Sequence, residues 1–202
     1  MNKLFNIIFK DLKKDKSIYY SLIAVLIISI VFGILFITIL KTSDKELLSN
    51  HINSFLESIK TNQYKPDFTN MFFNNNLLAL IIMLLGFSII GIPILIILLF
   101  YKGFTLSFTI TSLIYNFKLD GILLSFIYIF PHLILNLIFY FILIYYAFKL
   151  SLLLIGTLMN KSKLNKMFLK KYIVILLISI LILTISALYE TFILPHLIKL
   201  LY

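Results

Sequence analysis

The chain is 202 residues long, 61% hydrophobic and only 13% charged, with a mean hydropathy of +1.07. A soluble domain is about half apolar and about a quarter charged, so a water-solvated globule is excluded. The formal net charge of +10 would suggest nucleic-acid binding in a soluble protein, but here the lysines flank long apolar runs, where topology is the better reading. The absence of cysteine excludes disulfides, thiolate metal sites and cysteine nucleophiles.

Backbone amides cannot stay unpaired in hydrocarbon, which restricts spanning elements to helices or a closed barrel. The apolar stretches are long and lack the two-residue alternation of barrel strands, so the expected fold is all-α and polytopic. Lysine in place of arginine, with heavy use of Asn, Ile, Phe and Tyr, suggests an AT-rich bacterial genome, and a multi-pass protein of a bacterial cell membrane.

Residues 1–17 place Leu4, Ile8 and Leu12 at helical spacing among lysines, which predicts an amphipathic segment on the inner membrane surface. The run 18–40 exceeds a signal-peptide core and fits a first span. Residues 41–76 form the only sizeable polar region, read as an extracytoplasmic loop. Within it Ser43 and Glu46 match a capping box, and Leu48, Ile52, Phe55, Leu56 and Ile59 recur on one face of an amphipathic helix.

The stretch 77–117 is long enough for two crossings, predicted as 77–101 and 103–117 around a turn at Lys102-Gly103; because the second is short, either it begins earlier or the pair is tilted and kinked at Gly91-Ile-Pro93. A second turn at Lys118-Leu-Asp-Gly121 leads to a span at 122–148, then a basic loop at 149–171 and a fifth span at 172–194. Placing the N-terminus inside puts 12 lysines on the inner side and six on the outer, and the odd number of spans then leaves the C-terminus outside.

Few residues could carry chemistry. Lys102 reads as a snorkelling topology marker, or alternatively as a group handling ions or substrate. His132, beside Pro131 near the middle of the predicted fourth span, reads as a packing residue more readily than a proton carrier, and Asn136 as an interhelical hydrogen-bonding group. Asn74, Asn75 and Asn76 read as a polar helix start, and Glu190 as an exposed carboxylate at the outer end of span five. No zinc-protease, phosphate-loop or nucleophile-elbow motif is present, and His51, His132 and His196 are scattered. The sequence therefore predicts neither an enzyme, a metal site nor a cofactor.

Phe73-x-x-Asn76-x-x-Ala79-Leu80, Gly86, Gly91-Ile-Pro93, Lys102-Gly103, Phe108-Thr109 and Phe130-Pro131-His132 together resemble the stage II sporulation protein M family over roughly residues 15–200. In many relatives the last step continues Gly-Ile-x-Glu-Leu-Pro. Here Leu133, Asn136 and Ile138 replace the glycine, glutamate and second proline, so no role of that glutamate is carried over.

The resemblance implies a non-catalytic membrane scaffold of endospore engulfment, working with stage II sporulation proteins P and D. Those partners are cell-wall hydrolases, localised at the sporulation septum so that peptidoglycan is thinned. On that reading Gly86, Gly91, Pro93, Gly103 and Pro131 shape hairpins and close helix packing, and Leu48, Ile52, Phe55 and Ile59 form the partner-binding face. The alternative is a small transporter or permease subunit, for which Lys102, His132 and Asn136 would line a path. Self-association into a homo-oligomer stays open.

Overall fold

The computed structural model describes residues 11, 15–129, 132–159 and 166–201. The helices are α1 (Lys16–Ile39), α2 (Thr42–Lys60), α3 (Phe68–Gly86), α4 (Gly91–Ile129), α5 (Leu133–Leu158) and α6 (Lys166–Leu188). A π-helical turn at Tyr189–Ile193 joins α6 to α7 (Leu194–Leu201). Five stretches are long and apolar enough to cross a bilayer, at Lys16–Ile39, Phe68–Gly86, Gly91–Ile127, Leu133–Leu158 and Lys166–Leu200. Among the described residues no strand occurs, and the chain is a multi-pass helical membrane protein.

α5 is the central helix. Tyr140, Leu143, Ile144, Tyr145, Tyr146 and Ala147 are fully buried along it, with α3, α4 and α6 packed around. α1 lies at the edge of the bundle and packs chiefly on α4. Its inward face carries Leu22, Ser29, Gly33 and Ile37, with small residues at the middle of the contact, while Phe32, Leu35 and Phe36 remain exposed where lipid would cover them. Small residues let backbones approach, which is how helices gain packing energy when lipid is as apolar as the core.

The first hairpin turn lies at 87–90 and not at Lys102-Gly103, through which α4 runs unbroken. Its tightness is visible at Gly91, where an added Cβ would sit 1.9 Å from the Leu85 carbonyl oxygen. Ser151 of α5, fully buried, donates toward the Gly86 and Ser88 carbonyls at 3.1 and 2.9 Å, and the Tyr172 hydroxyl donates to the Met83 carbonyl at 3.0 Å. These bonds supply the partners that a helix C-terminus otherwise lacks. Pro93 falls in the first turn of α4, where a missing N–H costs nothing, so it starts a helix and does not kink one.

α3 begins at Phe68, capped by Asp67, whose carboxylate accepts from the Thr69 amide at 2.9 Å. Asn74, Asn75 and Asn76 therefore lie inside the helix and do not start it. Asn76 is buried and donates to the Phe72 carbonyl at 3.0 Å. The expected capping box of α2 is likewise absent: the helix starts at Thr42, and the Ser43 hydroxyl lies 3.5 Å from Asp44.

α4 bends sharply at Lys118, which has φ 52° and ψ −118°. An added Cβ on Gly121 would sit 2.2 Å from the Leu113 carbonyl oxygen, so the returning limb 119–129 lies hard against the incoming one. The predicted fourth span splits accordingly. Its first part is this short limb, and the crossing helix α5 starts only at Leu133. Pro131 lies outside the described residues, as do most of the predicted amphipathic segment at 1–17 and positions 160–165.

The two ends of the bundle differ. At one, Asp15 pairs with Lys149 and Asp11 with Lys171, while the Tyr146 hydroxyl donates to the Asp11 carboxylate at 2.8 Å and Tyr145 to Asp15 at 3.1 Å. This clasp ties the entry to α1 onto α5 and α6. At the other end α2, the limb 119–129 and α7 form a cap whose own core is Leu56, Ile59, Leu124, Leu194 and Ile198.

Candidate functional site

The π-helical turn positions the site. Pro195 has no N–H to donate back to Thr191, and its ring crowds that carbonyl, so the helix widens by one residue just before it. The Leu194 amide instead donates to Tyr189, five residues back. π-turns recur at functional positions, and this one carries Glu190. Glu190 is half-buried and lines a cavity inside the bundle, which corrects the expectation of an exposed interfacial carboxylate.

The cavity measures about 130 Å³ and lies between α3, α4, α5 and the π-turn. Its polar lining includes Asn75, Lys102, Thr105, Asn136, Tyr140 and Glu190. Lys102 sits roughly 16 Å along α4 from Gly91 at 1.5 Å per residue, well inside the helix and away from a turn. Its ammonium stands 4.9 Å from the centre of the Tyr140 ring. The Tyr140 hydroxyl donates to the Asn75 carbonyl at 2.9 Å, tying α5 to α3 at the cavity wall.

Several of these groups are already committed. Thr105 donates to the Tyr101 carbonyl at 3.0 Å, and Thr109 to the Thr105 carbonyl at 2.8 Å. Two atoms are not: Asn75 Nδ2 and Asn136 Oδ1 are buried without a hydrogen-bond partner. The ion pairs formed among the described residues are those of the clasp, so Lys102 and Glu190 share the cavity without being in salt-bridge contact.

His132 does not line this cavity. It is buried at the N-terminus of α5 and not in mid-span, its ring 6.1 Å from that of Tyr189 at an interplanar angle of 27°, and its carbonyl accepts from the Asn136 amide at 2.9 Å. The structure thus brings together Lys102 and Asn136, joins to them Asn75 and Glu190, which sequence alone assigned to other roles, adds Tyr140, and leaves His132 one turn away, against the residue preceding Glu190. Only the Tyr189-Glu190 step before Pro195 could have signalled the carboxylate in the sequence.

The glycines act as contact surfaces. A Cβ on Gly103 would lie 2.0 Å from Ser29 Oγ, and one on Gly33 would lie 1.9 Å from Ser107 Oγ, so each helix offers a glycine to the other's serine. Gly33 was not among the residues expected to pack. A Cβ on Gly86 would meet the Tyr172 hydroxyl at 2.6 Å and the Ala147 backbone at 3.0 Å.

Of the α2 face expected to bind a partner, Ile59 is buried while Leu48, Ile52 and Phe55 are half-buried. Ile59 is 2% exposed within the cap core, while Leu48, Ile52 and Phe55 line a groove of about 230 Å³ beside Phe108, Leu113 and Leu124. The limb 119–129 and α7 supply an apolar surface from the same chain to the Leu56–Ile59 end of this face. The polar side of α2 faces outward, with Glu46, Asn50, Asn53 and Glu57 exposed at helical spacing. The α2 C-terminus is pinned where Asn62 takes φ 58° and its side chain accepts from Lys199. Burial, and then the Glu190 charge, push the nearby Tyr64 phenol above its ordinary range.

These features define a polytopic helical membrane protein with a polar site inside the bundle and a cap at one end. The family model described as Stage II sporulation protein M matches residues 22–195, and the chain belongs to that family. It is thus a sporulation-related membrane protein. No curated protein and no solved structure matches it significantly.

Proposed function

We propose that the chain is a non-catalytic scaffold that holds peptidoglycan hydrolases, stage II sporulation proteins P and D, at the sporulation septum so that septal wall is thinned and engulfment proceeds. The observation that carries this reading is the cap: a helix with one apolar face anchored to the bundle and one continuous polar face, Glu46 to Lys60, held outward. In this reading the N-terminus and the clasp lie inside and the cap outside. The five lysines before the first span and the six in 149–171 support that orientation, although Lys102, half-buried within α4, no longer counts among the inner twelve. A docking surface has to be rigid relative to its anchor, and the Asn62–Lys199 contact and the Leu56–Ile59 core supply that rigidity.

The test is to delete the gene in a sporulating host and follow a fluorescent fusion of the hydrolase. Loss of its septal focus, restored by the wild-type chain but not by a variant with Glu46 and Glu57 both changed to lysine, is expected. A septal focus that persists in the deletion strain contradicts the scaffold role. The second reading, a small transporter or permease subunit, is favoured by the cavity that holds Lys102, Asn136 and Glu190.

A further inference from the structure

Inside a bundle that crosses lipid, polar groups persist where they have partners. The cavity between α3, α4, α5 and the π-turn holds one cationic side chain, Lys102, and one anionic, Glu190. It also holds one buried amide donor without a partner, Asn75 Nδ2, and one such acceptor, Asn136 Oδ1. Asn136 is 5% exposed, so bulk solvent does not serve it. The hydroxyls around them are spent on backbone carbonyls, Thr105 on Tyr101, Thr109 on Thr105 and Tyr140 on Asn75. Four groups therefore remain, two that attract an anion and two that attract a cation.

We propose that this cavity is a binding site for a small zwitterion, a solute with a carboxylate and an ammonium a few bonds apart, of the chemistry of a free α-amino acid. The carboxylate is received by Lys102 and the Asn75 side-chain Nδ2, and the ammonium by Glu190 and the Asn136 side-chain Oδ1. A simple cation would meet the Lys102 charge and leave the Asn75 donor unused. A simple anion would meet the Glu190 charge and leave the Asn136 acceptor unused. Only a ligand carrying both signs answers all four, and about 130 Å³ suits a solute of a few non-hydrogen atoms. Two structural devices fix the geometry. The π-turn enforced by Pro195 carries Glu190, and the bond from Tyr140 to the Asn75 carbonyl holds α3 against α5. The proposal does not depend on the scaffold reading, because neither the cap nor any partner enters it.

The experiment is thermal unfolding of the full chain purified in detergent, with glycine, glycolate or ethanolamine added at equal millimolar concentration and ionic strength. Glycine carries both charges, glycolate lacks the ammonium and ethanolamine lacks the carboxylate. Glycine is expected to raise Tm by about 3 °C or more near saturation while the other two leave it unchanged. Glu190→Gln and Lys102→Met are expected to abolish the glycine shift. No shift with glycine, or equal shifts with all three solutes, overturns the proposal, the latter being what water or weak ions filling the cavity would give. A glycine shift undiminished in both variants overturns it too. If neither variant folds, the solute series on the wild-type chain still decides.

Discussion

Ser29 and Gly33 on α1 meet Gly103 and Ser107 on α4 at distances that leave no room for another carbon. Gly103 Cβ would fall 2.0 Å from Ser29 Oγ, whose hydroxyl is held by the Leu26 carbonyl at 2.7 Å. Gly103→Leu should therefore lower stability by about 1–3 kcal/mol or more through overpacking, read as a lower Tm in detergent, while Thr38→Ala on the exposed end of α1 should change little. A second residue-scale prediction concerns the clasp. Burial alone would raise the Asp11 carboxyl, but the bonds from Lys171 and Tyr146 and the charges of Lys171 and Lys149 outweigh it and hold the group below its ordinary value. A depressed carboxyl contributes stability that is present above its unfolded pKa and lost as pH falls through the folded one. Tm should thus be flat from about pH 5 to 8 and fall below about pH 4, and Asp11→Asn should lower Tm at neutral pH and flatten that acid limb. An unchanged acid limb in Asp11→Asn would assign it to other groups.

At the scale of elements, the turn at Lys118-Leu-Asp-Gly121 was legible in the sequence and the chain bends at Lys118, whereas the cap built around it was not. The periodicity of Leu48, Ile52, Phe55 and Ile59 was legible, but what covers it was not, because the covering limb 119–129 reads as the start of a span. Ile59→Ser places a hydroxyl in the cap core and should cost about 2–4 kcal/mol locally, seen as faster amide exchange in α2 and α7 with little change in α5. Lys118 holds a positive φ that glycine adopts freely, so Lys118→Gly should be neutral or raise Tm, whereas Gly121→Ala, which drives a carbon toward the Leu113 carbonyl oxygen, should lower it. Opposite signs at two positions three residues apart would be a specific signature of this bend.

For the whole molecule, composition made membrane residence and the helical class legible, and the family resemblance agrees with the match over residues 22–195. Helix ends and inner faces were harder to read, for a physical reason. Lipid and bundle interior are both apolar, so hydropathy does not separate buried Ser29 from exposed Phe32, or reveal that Asn74 to Asn76 lie within α3. The chain has no cysteine, so single substitutions report sidedness cleanly. Ser54→Cys in α2 should react with a membrane-impermeant maleimide in intact cells, and Lys170→Cys only after permeabilisation. The most direct test of the account joins sidedness to function: a photo-crosslinking residue placed at Asn53, on the exposed face of α2, in a sporulating host. An adduct with a peptidoglycan hydrolase is expected from Asn53 and none from Lys170. A hydrolase adduct from Lys170, or none from Asn53 while the hydrolase is present at the septum, would contradict it.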